Sequence, residues 1–106
     1  MADYVLLYSG GKMAEGQAEQ AAVMKDWERW MSAVGSALVD VGNPFTGKAK
    51  GIATDGRVTD GPNGTNASGY SIIKAESLNS AVELAKGCPV LKGGGKITVF
   101  ETFKAM

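Results

Sequence analysis

Read along the chain, the elements run β-α-β-(hairpin)-β-α-β. This order predicts an α+β fold of the ferredoxin-like split β-α-β type with an added hairpin. Three observations carry the prediction. The chain has 106 residues, the size of one small domain, and no linker long enough to divide it. Two segments repeat apolar residues at helical spacing, and the segments around them are rich in β-branched and aromatic residues. The strands are also apolar on both faces, which calls for a second layer over the side that two helices leave open.

The first strand spans Asp3 to Tyr8, because Tyr4-Val5-Leu6-Leu7-Tyr8 joins aromatic, β-branched and aliphatic side chains. Ser9-Gly10-Gly11-Lys12 reads as a turn or loop. From Gln17 to Val34, the positions Val23, Met24, Trp27, Trp30, Met31 and Val34 make one apolar helical stripe. Gly35 then suits the residue after a helix, where a left-handed backbone favours glycine. Ser36 to Val41 is the next strand, broken by Gly42-Asn43-Pro44. Lys48 to Thr54 and Arg57-Val58-Thr59 flank Asp55-Gly56, the signal of a type I′ hairpin. Asp60 to Ser68 is a polar loop, and Gly69 to Ala75 is a strand centred on Tyr70, Ile72 and Ile73. Ser77 caps a second helix that carries Leu78, Ala81, Val82 and Ala85 on one face. Gly87 ends that helix, and Pro89 prevents its continuation. Lys92-Gly93-Gly94-Gly95-Lys96 reads as a mobile connector before a last strand from Ile97 to Phe103.

Alternation within the strands extends the prediction to assembly. Tyr4, Leu6 and Tyr8 oppose Val5 and Leu7. Tyr70 and Ile72 oppose Ile73 and Ala75, and Ile97, Val99 and Phe103 oppose Phe100. A solvated face would alternate with polar residues. The economical second layer is another copy of the sheet, so a homodimer packed through the sheet face is expected.

Composition excludes more than it names. There is no histidine, so imidazole catalysis and histidine-ligated metal are absent. One cysteine allows no internal disulfide and no Cys-rich zinc site. The acids are scattered and form no calcium loop, so no metal or other cofactor is expected. Eleven basic and eleven acidic residues balance to zero, leaving no bulk field for nucleic acid or anionic membrane. No 18-residue apolar run is present, and Met1-Ala2-Asp3-Tyr4 has no basic region of the kind that opens a signal peptide. A cytoplasmic protein is the simplest expectation.

Several short motifs, taken in order, resemble the YCII-related family and most closely its DGPF-type branch. They are Thr59-Asp60-Gly61-Pro62, Gly69-Tyr70-Ser71-Ile72-Ile73, Ala75-Glu76-Ser77-Leu78 and Cys88-Pro89, together with the opening Tyr4 to Tyr8 and the Trp-bearing first helix. The resemblance spans essentially the whole chain and implies a dimeric α/β barrel. Some YCII-like proteins are regarded as enzymes using a histidine of the first helix with an aspartate. That histidine position falls at or near Met24, and this chain has no histidine with which to form the dyad. The branch usually places Phe after the Pro, where Asn63 stands here, and often has acidic residues where this loop reads Gly64-Thr65-Asn66-Ala67-Ser68. DGPF-type proteins are often linked with extracytoplasmic-function sigma factors, which implies a regulatory setting.

The candidate ligand-binding residues are Tyr8, Ser9, Met24, Trp27, Trp30 and Asp60, with Asp60 the one catalytic candidate. Asp60 precedes Gly-Pro, where its carboxylate would either face a pocket or bond its own turn. Trp27 and Trp30 would either wall an aromatic ligand or pack as core. Tyr8 and Ser9 end a strand, a common place for a pocket edge. Lys92 to Lys96 and Ser9 to Lys12 each miss the spacing of a phosphate-binding loop. Asn63-Gly64-Thr65 and Asn66-Ala67-Ser68 match the glycosylation sequon but, with no signal peptide in view, read as a polar loop, and Cys88 reads as a buried, inert thiol. Three functions compete: a non-catalytic module that binds a small organic ligand or a partner, a structural or regulatory interaction module linked to transcription, and a metal-independent enzyme using Asp60 with Tyr8 or Lys12.

Overall fold

The computed structural model describes residues 1–11, 15–64 and 66–105. Its strands are β1 (Ala2–Gly10), β2 (Leu38–Asp40), β3 (Lys50–Ile52), β4 (Val58–Asp60), β5 (Gly69–Ala75) and β6 (Gly95–Glu101). Its helices are α1 (Gln17–Val34), α2 (Leu78–Ala85) and α3 (Pro89–Lys92). The strands form a four-stranded sheet in the order β2-β5-β1-β6 and a separate β3-β4 pair. All of the pairings are antiparallel. The fold is α+β, and the larger sheet is open, with no closed barrel among the described residues. No described helix is long and apolar enough to cross a membrane.

Period-two alternation sets the core. Tyr4, Leu6 and Tyr8 of β1 and Ser71, Ile73 and Ala75 of β5 are buried on one face of the sheet. Trp30 and Val34 of α1, Ala81 and Ala85 of α2, and Cys88 pack into the same cluster. The small residues of α2 let it lie close to the strands, and Ser77 Oγ caps it by accepting from the Ser80 amide at 3.1 Å. α1 is tied to α2 through Trp30, whose Nε1 donates to the Leu84 carbonyl at 2.9 Å.

α1 keeps the span its sequence predicts, but its apolar stripe is not buried along its length. Trp30 and Val34 are buried and Trp27 and Met31 half-buried, whereas Val23 and Met24 are exposed. Residues Gln17 to Lys25 are exposed throughout. Their helix rests on Ala, Gln, Glu and Met, which have high intrinsic helix propensity, rather than on packing.

Other differences from the sequence reading have local causes. The Asp55-Gly56 turn is not type I′, because no described residue other than glycine has positive φ and Asp55 therefore does not adopt that turn. The Gly56 amide bonds the Ala53 carbonyl, the Ala53 amide bonds the Arg57 carbonyl, and Gly56 sits at φ 89°. This is a three-residue loop built on a type I-like turn with a bulge glycine. Gly35–Ala37 forms a 3-10 turn, shortening the second strand to Leu38–Asp40. Pro89 does not merely stop α2; it starts α3 at a position where its missing N–H costs nothing. Gly95 already belongs to β6, and Phe103 lies beyond that strand. Gly42, at φ 73°, passes so close to the Tyr70 carbonyl that a Cβ would collide with it.

The helices cover one sheet face only. On the other lie Val5 and Leu7, with Val5 flanked by Ile72 and Phe100 and Leu7 by Tyr70 and Thr98. The chain exposes 7779 Å², against about 5,600 Å² expected for a compact monomer of its mass. Its radius of gyration is 15.2 Å, against about 13 Å for a compact domain of this length.

Truncating Leu6 to Ala in the fully buried row is expected to cost about 2–5 kcal/mol in urea denaturation. Val58→Ala on the exposed hairpin is expected to stay within about 0.5 kcal/mol. Equal losses at the two sites would contradict this placement of the core.

Candidate functional site

Three of the predicted site residues, Tyr8, Trp27 and Trp30, form one cluster. The Tyr8 ring stands edge-on to Trp27 at 6.0 Å between centroids, and Trp27 stands edge-on to Trp30 at 5.6 Å. The Tyr8 hydroxyl donates to Ser71 Oγ at 2.6 Å, and Ser71 in turn donates to the Val41 carbonyl at 2.6 Å. The Cys88 thiol donates to the Tyr8 hydroxyl oxygen at 3.5 Å. This buried relay links β1, β5, the segment after β2, and the junction between α2 and α3. Burial pushes the Tyr8 hydroxyl well above its ordinary pKa of 10.0, overriding the hydrogen bond to Ser71, which acts in the opposite direction. Burial also raises the Cys88 thiol above its ordinary 9.0. Both groups are therefore held protonated and are poor nucleophiles or bases. The Tyr8–Trp27–Trp30 cluster is wall and core rather than an exposed aromatic site.

The other candidates lie elsewhere. Met24 is 60% exposed on the projecting half of α1. Asp60 ends β4, opposite Lys50, and its carboxylate accepts from Lys50 Nζ at 3.1 Å. The Asp60 side chain is 97% exposed. This placement supplies none of the desolvation that an acid/base role for Asp60 requires. Asp60 is thus in the hairpin, apart from the core cluster that holds Tyr8 and Trp27. Lys12, its other suggested partner, lies outside the described residues. Among the described residues, no three Cys, Asp or Glu side chains gather closely enough to hold a metal ion.

Ser9 has a different setting from Tyr8. It faces the open side of the sheet and lines a cleft of about 610 Å³ with Gly10, Gly11, Ser68, Gly94 and Lys96. Register holds two of its walls together, with Ser9 opposite Lys96 and Gly10 opposite Gly95. The third wall, 66–68, is fixed by the Ser68 amide donating to the Tyr8 carbonyl at 2.7 Å and by the Phe45 amide donating to the Ser68 carbonyl at 2.8 Å. Two glycine-rich segments that look like unrelated loops in the sequence therefore share one site. The signal that could have joined them is antiparallel pairing of the first and last strands, which places the end of one beside the start of the other.

No protein-family model matches the chain, and no curated protein matches it.

The raised Tyr8 and Cys88 values fix a sign for pH dependence. The folded state holds these protons more tightly than the unfolded chain, so their stabilising contribution is fully present below pH 9. It is lost as pH rises past the ordinary values of 9.0 and then 10.0 toward the folded ones. The urea midpoint should therefore be flat near neutrality and fall above about pH 9. Tyr8→Phe should lose about 1–3 kcal/mol near neutrality, because Ser71 loses its donor and Cys88 its acceptor, and the later part of the alkaline decline should flatten. A wild-type midpoint that rises between pH 9 and 11 would contradict the buried relay.

Proposed function

We propose that this chain is a YCII- and DGPF-like protein of ferredoxin-like topology that pairs through its open sheet face as a homodimer and binds a small molecule without catalysing a reaction. The strand order β2-β5-β1-β6, with α1 between β1 and β2 and α2 between β5 and β6, supports the split β-α-β reading. One observation carries the assembly: the helix-free face presents Ile72–Val5–Phe100 and Tyr70–Leu7–Thr98 as adjacent rows. Polar rows bound this band, with Asp3 and Lys74 on one side and Ser9 and Lys96 on the other. An apolar centre with a polar rim is the anatomy of a protein interface.

The area argument points the same way. The surplus over a compact monomer is about 2,200 Å², part of it on the exposed half of α1 and the β3-β4 hairpin, and a standard interface needs only about 800 Å² per partner. Face-to-face packing of two such sheets would complete a dimeric α/β barrel and bury Phe100, which is 49% exposed in the single chain. The cleft beside Ser9 and Lys96 lies at the rim of that face, which gives a small ligand a place next to the second copy. The binding reading is favoured over an enzymatic one because the chain has no histidine and Asp60 stands in solvent.

Sedimentation velocity at micromolar concentration should find a dimer, and Phe100→Glu should convert it to a folded monomer. Val58→Glu on the hairpin should leave the dimer intact. A wild-type chain that sediments only as monomer would remove the assembly. Native mass spectrometry of freshly purified protein should show the dimer carrying an additional small mass, and a bare dimer would shift the reading toward a purely structural module.

A further inference from the structure

We propose that the cleft between the end of β1 and the start of β6 binds the phosphate group of a small phosphorylated molecule. The inference rests on the small-molecule-binding reading above and names the ligand's chemistry. The cleft's described lining holds one charged side chain, Lys96, and no carboxylate. Lys96 makes no ion pair among the described residues, whereas Lys50, Lys86 and Lys92 are each paired with an acid. Its charge in the cleft is therefore not offset by an acid among the described residues.

The rest of the lining is suited to an oxyanion. Asn66, Ser68 and Ser9 are residues with amide or hydroxyl groups. Gly10 and Gly11 have φ of 71° and 87°, whereas the Gly94 amide closes the end of α3 on the Leu91 carbonyl. Such turned glycine backbone can form concave nests of N–H groups that bind anions. A Cβ built on Gly10 or Gly94 meets no atom within 4 Å, so open space lies beside both. The cleft volume of about 610 Å³ is within the range of small-ligand sites. Residues with donor groups line the cleft on three separate segments around one lysine point charge. That arrangement fits a tetrahedral phosphate better than a planar carboxylate, for which an arginine fork is the usual partner.

The test is an amide NMR titration of the full chain with inorganic phosphate, and in parallel with acetate, at matched ionic strength. Phosphate should give saturable shifts at Gly10 and Gly11. Lys96→Ala should weaken that binding about tenfold or more, the scale of a lost charge-assisted hydrogen bond. Lys96→Arg should retain it, and Lys74→Ala, on the opposite rim of the same sheet face, should leave it unchanged. Ser9→Asp, which places a carboxylate beside Lys96, should abolish it. No saturable shift, equal affinity in Lys96→Ala, or acetate binding as tightly as phosphate would overturn the assignment. Sedimentation of the same samples separates the two readings. Phosphate binding by a monomer retains the site and removes the dimer, and a dimer blind to phosphate does the reverse.

Discussion

A four-stranded sheet with helices on only one side has half of its apolar surface unsatisfied, and this constraint governs the rest of the molecule. The buried side is well provided for. Tyr4, Leu6, Ile73 and Ala75 meet Trp30, Val34, Ala81 and Ala85, and Ser71, whose polar side chain is buried with them, both accepts and donates a hydrogen bond. The opposite side has Val5, Leu7, Ile72 and Phe100 in the same strands and nothing from the helices to cover them. Burying apolar area is the dominant favourable term in folding and association. A chain of this size has little core to spare, so covering the second face with another copy would add stability as well as assembly.

The Tyr8 relay sets the core side of β1 apart from its open side. Tyr8 points into the core and spends its hydroxyl on Ser71 and Cys88, while the next residue, Ser9, points to the open face and the cleft. A single step along a strand thus separates a group spent in the core from one that lines the cleft. The Tyr8 backbone fixes one side of the cleft, because the Tyr8 carbonyl receives the Ser68 amide and so anchors the 66–68 wall. The site's geometry is therefore inherited from the core rather than from the loops alone.

What the sequence revealed was whatever depends on local pattern. The span of α1, the span of β5 and the Ser77 cap follow from periodicity and capping chemistry, and the α+β class follows from their order. What it concealed depends on which distant segments meet. Asp60 reads as a pocket carboxylate from its Gly-Pro neighbours, yet β3 pairing places it opposite Lys50 in solvent. The stripe of α1 reads as continuous core, yet only its second half reaches the sheet. Ser9-Gly10-Gly11 and Gly94-Gly95-Lys96 each fail as a phosphate loop, and only strand pairing shows that they face one cleft. The turn at Asp55-Gly56 was misread for a smaller reason: the dipeptide also fits a three-residue loop in which only the glycine has positive φ.

The proposed sheet-to-sheet pairing is tested most directly by isotope-filtered NOE spectroscopy on a mixture of labelled and unlabelled chains. Pairing through the open face predicts intermolecular contacts between the methyl groups of Val5, Leu7 or Ile72 in one protomer and the Phe100 ring of its partner. Absence of such contacts at millimolar concentration, with the Phe100 ring in solvent, would contradict it.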